Sequence, residues 1–423
     1  MAPAPATAPL PMTPLADALD RTWDVAVVGA GPAGATTAAH LAAAGLEVVV
    51  LERAPLPRDK TCGDGLIADA LHALAALGLG DAVRRLGRRI GRVSVWSPAR
   101  VHVPVEGEFV TLRRRDLDAL LQGAAAERGA RLVEAAATAV AVEGPEGVEL
   151  RVRGATAPLR ARYVVLATGA DLSLAAAHAG PRVDPGSRQT SAVAARCYVT
   201  SRTAVEDLVV SFDRTVIPGY AWIFPLGPDE AGHDVYNVGA GVFYGRDGKA
   251  GAGTGAVNLR AMLDRFLADF PLARALMAGA VATTRLEGAR LRCGLGGRAR
   301  VPGSPVVAVG ETIGTTFPFT GEGVGKAMET GAIAARFLAG AVRGGGPAAL
   351  DGLADAVEAE LAPKYRGYEI AQRWLSHAWV NDFVARRVNR SPYLQRQVRG
   401  ILDETADPRA VFSLRGLLPS LVR

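Results

Sequence analysis

The run Asp24-Val-Ala-Val-Val-Gly29-Ala-Gly31-Pro-Ala33-Gly34 joins an unbroken apolar stretch to a glycine loop. A short apolar run without alternation fits a strand buried on both faces of a parallel sheet. Residues 32–44 are alanine-rich with helical spacing and stop at Gly45, a residue suited to the turn past a helix end. Residues 46–51 form a second apolar run closed by Glu52. The spacing predicts a strand–helix–strand unit. Within its loop the first glycine permits a tight turn, the second lets backbone approach a pyrophosphate, and the third lets helix pack on strand. The helix start then offers free N–H groups and a positive dipole end to phosphates. The competing reading, an ordinary strand–helix turn, does not account for a carboxylate at the end of the second strand.

That carboxylate is Glu52, 21 residues after Gly31. There it accepts hydrogen bonds from ribose hydroxyls and disfavours a 2′-phosphate. Ala33 in the loop and Arg53 after the carboxylate are counted with the same cradle. A second motif, Ala167-Thr168-Gly169, follows another apolar run and says little alone. A third is Val309-Gly310-Glu311-Thr-Ile-Gly314, followed by Pro318-Phe-Thr320-Gly321-Glu322-Gly323-Val324 and a helix. A carboxylate after a strand holds a polyol hydroxyl, and a helix start places N–H groups against an anionic ring edge. Nicotinamide has neither a ribityl chain nor an anionic reduced ring, so this late site points to a flavin. The bland alternative is a glycine-rich surface loop.

In this order the three motifs resemble the FAD-binding oxidoreductases of the p-hydroxybenzoate hydroxylase-like superfamily. Within it, Cys62-Gly63-Asp-Gly65-Leu66 and Gly219-Tyr220-Ala-Trp222-Ile-Phe224-Pro225 look like the geranylgeranyl reductase family. The resemblance covers roughly residues 24 to 410. It implies FAD, with Gly29, Gly31 and Gly34 at the pyrophosphate, Glu52 at the adenosine ribose, and Ala139 touching the adenine through its backbone. It implies that Arg114, Cys62, Gly63, Thr168 and Gly169 lie near the flavin. It also places Gly321, Gly323 and Val324 near the flavin ring. Glu311 stands where the family carries an aspartate; the charge is kept and the reach is longer by one methylene.

The implied fold is α/β: a Rossmann-type FAD-binding domain with a parallel sheet, an inserted antiparallel-sheet substrate domain and a helical C-terminal part. Residues 1–23, with five prolines before the first strand, read as a disordered leader. The FAD-binding domain is discontinuous, over 24–90, 110–185 and 293–340. Residues 91–109 and 186–292 form the substrate domain, where short β-like runs dominate and one helix, near 256–270, interrupts them. Residues 341–423 follow a glycine-rich hinge at 344–346 and read as helical.

Composition narrows the function classes. The chain has 423 residues, 49% hydrophobic and 21% charged, an ordinary globular mixture. Its net charge is +6, with 48 lysines and arginines. The arginines are dispersed and no finger or RNP-like motif accompanies them, so no nucleic-acid partner is expected. Three scattered cysteines, Cys62, Cys197 and Cys293, exclude a disulfide framework or zinc site and suit a reducing, cytoplasmic setting. No apolar run reaches the roughly 18 residues of a membrane span. Peripheral membrane contact stays open through Trp374, Ala378, Trp379 and Phe383, which fall near one helical side among Arg373, Arg386, Arg387 and Arg390. A lid or core-packing helix is the duller reading of the same residues.

Tyr220, Trp222 and Phe224 alternate with period two, so all three project from one face of a strand. They form either an apolar wall for a flat or isoprenoid substrate or plain core packing. Cys62 is the candidate catalytic residue, a thiol in a glycine loop near the flavin; a small buried hydrophobe is its alternative role. No metal is expected. The resulting expectation is an FAD-dependent oxidoreductase that reduces carbon–carbon double bonds of a prenyl lipid, with NAD(P)H or another reductant visiting transiently. The alternatives are an FAD monooxygenase or halogenase acting on an aromatic natural product, and a non-enzymatic prenyl-binding protein of the same architecture.

Overall fold

The computed structural model describes residues 9–145, 147–175, 178, 191–244 and 258–417. Two sheets organise it. In the first, Arg131–Glu134, Val48–Glu52, Thr22–Val28 and Leu159–Leu166 lie side by side in parallel, and Val306–Ala308 adds to the far edge. Val25, Ala26, Val27, Val48, Val49 and Val164 to Leu166 are almost wholly buried, which is why these runs lack polar alternation. The glycine-loop helix, Pro32–Ala43, packs between the sheet and two further helices, Arg114–Glu127 and Val324–Gly340. An antiparallel hairpin, Ala137–Gly144 with Gly147–Val152, extends the sheet beyond the start of Leu159–Leu166.

Among the described residues the second sheet has nine strands. Its centre is Ala192–Ser201, Asp234–Phe243, Gly219–Pro228 and Leu208–Ser211, followed outward by Arg88–Trp96, His102–Thr111 and Gly65–Leu66. All neighbours are antiparallel except Leu208–Ser211 on Arg88–Trp96. Strand alternation divides the two faces of Gly219–Pro228. Ala221 and Ile223 are buried in one core with Tyr236, Val238, Phe266 and Phe270, the last two from Leu259–Asp269 and the residue after it. Tyr220, Trp222 and Phe224 face the opposite way, towards the first sheet's loops.

The chain then runs into Leu353–Leu375, Ala378–Arg390 and Pro392–Leu402. The helices break at Ser376 and His377, which separates Trp374, packed on the core, from Trp379 and Phe383, which are exposed. The single helical side expected for these aromatics is therefore split in two.

The stretch expected as a disordered leader is structured over its described part. The Thr13 N–H donates to the Leu132 carbonyl at 2.7 Å, Leu15–Leu19 is a short helix, and the Trp23 indole donates to the Ala18 carbonyl at 2.9 Å. Its apolar residues override its prolines: Leu10, Leu15 and Leu19 pack on the main core, and an extended edge segment tolerates proline. Residues 1–8 lie outside the described residues. So do 179–190 and 245–257, which the sequence reading divides between the FAD-binding and substrate domains.

Candidate active site

A cavity of about 920 Å³ opens between the two sheets and the C-terminal helices. At one end stands the glycine loop. Gly29 has φ +105°, and a Cβ there would overlap the Ala167 carbonyl. Gly34 does not reach the cavity; a Cβ on it would overlap the Gly29 carbonyl, so this glycine serves helix-on-strand packing. A Cβ on Gly31 would meet only the Arg58 guanidinium, at 3.5 Å, and Gly31 and Ala33 both border the cavity. No described side chain caps the helix that starts at Pro32, so its first N–H groups remain available beside that open space. An open glycine face at an uncapped helix start is the environment a pyrophosphate requires, and the residues present fit the dinucleotide half of an FAD.

Glu52 is buried beside this loop, its Oε2 accepting from the Ala30 N–H at 3.0 Å. Arg58 lies across the cradle, 3.2 Å from Glu52 Oε2 and 3.3 Å from Asp118 Oδ2. Sequence reasoning missed Arg58, which sits in a turn-rich loop without periodicity. Arg53 also borders the cavity and pairs with Asp171 at 2.8 Å. Ala139, expected at the adenine, does not border it. Ala135 to Thr138 do so instead, because the Ala135 N–H binds the Glu52 carbonyl at 2.9 Å and turns that segment beside Glu52. Ala139 lies one residue on, paired across the hairpin with Arg151.

Thr168, Gly169, Glu311, Gly321, Gly323 and Val324 border the middle of the cavity. A Cβ on Gly169 would lie 3.7 Å from Glu311 Oε2, which brings the second and third motifs together. The other Glu311 oxygen accepts from the Arg292 N–H at 3.2 Å. Burial raises the Glu311 carboxyl above its ordinary range, against the pull of Lys60, the Arg292 N–H and Arg114. The Tyr220 hydroxyl donates to the Thr320 carbonyl, tying the aromatic strand to the loop before Val324.

The Cys62–Leu66 loop rests on the aromatic strand. Cβ atoms on Gly63 and Gly65 would lie 3.5 and 3.2 Å from the Phe224 ring. Asp64, in a left-handed conformation at φ +63°, is buried under the loop. Its carboxylate accepts from the Arg114 N–H (3.1 Å), the Tyr198 hydroxyl (2.8 Å) and the Asn237 amide (2.8 Å). The Asn237 amide also donates to the Cys62 carbonyl at 2.7 Å, and its oxygen accepts from the Trp222 indole at 2.8 Å. Burial raises the Asp64 carboxyl, while these donors and Arg196 oppose the rise. Arg114 is buried with both donors on Asp118, at 2.9 and 3.0 Å, and interacts with the Cys62 side chain. Burial works against the Arg114 charge, but Asp118 and Cys62 hold its pKa above the ordinary value. Asp64, Tyr198 and Asn237 escape a sequence reading because they come from three separate strands or loops.

Beyond the loop the cavity becomes apolar. Tyr220 and Trp222 have ring centroids 5.9 Å apart, and Trp222 and Phe224 6.3 Å. Facing them, Phe212 stacks on Phe319 at 5.7 Å, and Val384, Val388 and Leu402 close the far side from the C-terminal helices.

A family model described as an FAD binding domain matches residues 22–203. The chain is 33% identical over 338 residues to the menaquinone reductase of Mycobacterium tuberculosis, spanning 76% of this chain and 77% of that protein. It is 31% identical over 328 residues to digeranylgeranylglycerophospholipid reductase 2 of Methanopyrus kandleri, spanning 76% and 78%. A geranylgeranyl bacteriochlorophyll reductase-like structure from Thermoplasma acidophilum superposes with a TM-score of 0.71 at 21% identity, over 95% of this chain and 96% of that one. A flavin-dependent brominase superposes equally, at 0.71 and 18% identity, over 95% and 97%, so the fold is shared by more than one chemistry.

Proposed function

The chain belongs to the FAD-dependent geranylgeranyl reductase family, and from that premise we propose that it saturates carbon–carbon double bonds of a prenyl chain lying in the apolar arm of its cavity. The aromatic wall of Tyr220, Trp222 and Phe224 carries this reading. It sits opposite aliphatic residues of the C-terminal helices and continues the space that begins at the glycine loop. A prenyl chain has few polar handles, so shape and apolar burial select it.

FAD, when bound and reduced, supplies hydride. The chain's own residues bind and orient. Gly31 and the N–H groups of Pro32–Ala43 hold the phosphates, Glu52 the adenosine ribose, and Ala135 to Thr138 the adenine edge. Glu311 takes a ribityl hydroxyl, and the turn of Gly321, Gly323 and Val324 borders the ring. Asp64 and Asn237 fix the Cys62 loop against the aromatic wall, keeping the Cys62 thiol beside Arg114. NAD(P)H or another reductant would deliver the electrons in a transient visit. Trp379 and Phe383, exposed with Arg386 and Arg390 on the outer face of Ala378–Arg390, suit a lipid surface from which the substrate enters.

The test is anaerobic. The purified flavoprotein is reduced with dithionite and mixed with geranylgeranyl or menaquinone-type lipids, and flavin absorbance and product mass are followed. Reoxidation without oxygen, with product two hydrogens heavier per double bond, supports the proposal. A flavin that stays reduced until air enters, and then modifies an aromatic compound, assigns the chain to monooxygenase or halogenase chemistry. Stoichiometric lipid binding by a protein that takes up no flavin would make it a prenyl carrier.

A further inference from the structure

Asp69, in the helix Ala68–Ala76, forms part of the wall between two cavities. On one side it borders the main cavity together with Glu322. On the other it borders a second cleft of about 770 Å³ with Lys326, Glu329 and Glu404. Asp69 is 6% exposed, and its Oδ1 accepts from the Ala70 N–H at 2.5 Å. Among the described residues its Oδ2 is buried without a hydrogen-bond partner, as is Oε2 of Glu322. A buried polar atom left unpaired destabilises a fold, so two of them bordering one cavity call for a role other than stability. Gly325 leaves the carboxyl its room: a Cβ there would overlap it.

Outward from Asp69 the groups form a series. Lys326 is 2% exposed, with its ammonium 2.8 Å from both Glu329 Oε2 and Glu404 Oε1. Lys364, partly exposed at the rim, lies 3.7 Å from Glu329, 3.9 Å from Glu404 and 3.4 Å from Glu360. Glu404 has φ +57°, the left-handed turn that follows the end of the helix Pro392–Leu402.

We propose that this series is a proton path, which takes protons from the outer cleft through Glu404 and Glu329, held in place by the Lys326 ammonium, and delivers them by Asp69 and Glu322 to the main cavity. The inference rests on the reading that a double bond is reduced there. Saturating one C=C bond adds one hydride, from reduced flavin recharged by a nicotinamide-class donor, and one proton. A cavity filled by a prenyl chain excludes the water that would bring that proton. Asp69 or Glu322 gives up its proton towards the new C–H bond and regains one from the cleft.

Against burial, Asp69, Glu329 and Glu404 hold the Lys326 ammonium above its ordinary range, so it stays charged and serves as the fixed positive group between the carboxyls. Burial pushes the Asp69 carboxyl up to about 7, with Lys326 pulling it down and Glu404 and Glu329 pushing further. Burial, then Asp69 and Glu404, raise Glu322 well above its ordinary range. Tyr365 and Tyr368 from Leu353–Leu375 share this field, and His72 of Asp69's own helix borders the outer cleft. A carboxyl titrating near neutrality is suited to passing protons in both directions.

Two readouts test the path. In infrared spectra of the oxidised, flavin-loaded protein, a protonated-carboxyl band should titrate near pH 7 and vanish in Asp69→Asn. In Glu404→Gln the same band should exchange hydrogen for deuterium more slowly than in the wild type. In anaerobic single turnover, Asp69→Asn should slow lipid-dependent reoxidation about a hundredfold and abolish its pH dependence near 7. Glu404→Gln should slow it less, with a larger solvent isotope effect. The path is overturned if the titrating band survives in Asp69→Asn, or if Glu404→Gln leaves both exchange and the pH profile unchanged. Should no prenyl lipid reoxidise the wild type, the functional reading fails, while the infrared measurements still decide the path.

Discussion

At the scale of single residues, three glycines in one loop face three different environments, and substitution separates them. A methyl on Gly34 would overlap the Gly29 carbonyl, and it has no flexible side chain to displace. Gly34→Ala should therefore destabilise the fold by about 1–3 kcal/mol or more, the range for overpacking, and lose flavin with it. A methyl on Gly31 would meet only the tip of Arg58 at 3.5 Å. Gly31→Ala should keep its melting temperature and lose FAD affinity by at least about tenfold, because the methyl occupies the phosphate side of the loop. Thermal unfolding of both proteins, with FAD titration of each, checks the pair; equal behaviour would remove the phosphate role from Gly31. Trp222 offers a second residue-scale test. Trp222→Phe keeps an aromatic wall and leaves the Asn237 oxygen without its donor, at a cost of about 1–3 kcal/mol. Because Asn237 also holds the Cys62 carbonyl and Asp64, the variant should loosen the Cys62–Leu66 loop. Proteolysis of that loop in the presence of FAD would show it, and an unchanged cleavage rate would detach the loop from the aromatic strand.

At the scale of elements, Ala378–Arg390 has two faces with different work. Asn381, Val384, Ala385 and Val388 turn inward to the cavity, while Trp379 is 75% exposed and Phe383 45% exposed, in line with exposed Arg386 and Arg390. Exposed aromatics beside arginines match the boundary of an anionic bilayer. Trp379→Ser with Phe383→Ser should lower cosedimentation with anionic vesicles about tenfold or more and leave turnover of a detergent-dispersed substrate unchanged. Equal sedimentation of variant and wild type would reduce the stripe to a bare surface. No described helix is long and apolar enough to cross a membrane. Elements also differ in how far the sequence announces them. Thr22–Val28 and Leu159–Leu166 are legible through their second halves, Val25 to Val28 and Val164 to Leu166, where burial on both faces leaves no polar residue. The hairpin Ala137–Gly144 with Gly147–Val152 is not, since Glu143, Glu149 and Arg151 interrupt it and its first strand is largely exposed. Local spacing likewise announces the glycine cradle and the aromatic wall. It is silent on the Asp64–Tyr198–Asn237 network and the Asp69–Lys326–Glu404 series, whose members meet only when distant segments fold together.

At the scale of the whole molecule, the buried carboxyls set how stability depends on pH. Asp69, Glu322, Asp64 and Glu311 are all raised, with burial the largest cause in each. A raised carboxyl binds its proton more tightly in the folded state than in the unfolded chain. Its stabilising contribution is therefore complete below the ordinary carboxyl range and is lost as pH climbs through the folded value. For Asp69 that window runs from 3.8 to about 7 and corresponds to at most about 4 kcal/mol. Glu108 and Asp171 shift the other way, Glu108 chiefly through Arg84 and Asp171 through Ser173, but both are solvent-screened and their effects are small. His40 and His102, lowered chiefly by burial, oppose the trend, since each costs stability as pH falls through the ordinary imidazole range. The four buried carboxyls outweigh these two partly buried rings, which predicts a higher melting temperature at pH 5.5 than at pH 8. Asn in place of Asp69 carries no charge at either pH, so Asp69→Asn should lose part of that difference and be the more stable of the two proteins at pH 8. Parallel melting curves for wild type and variant between pH 5 and 8 would mean that Asp69 is already ionised in the fold. The outer cleft would then have no neutral carboxyl at its inner end, and the proton path would lose its central member.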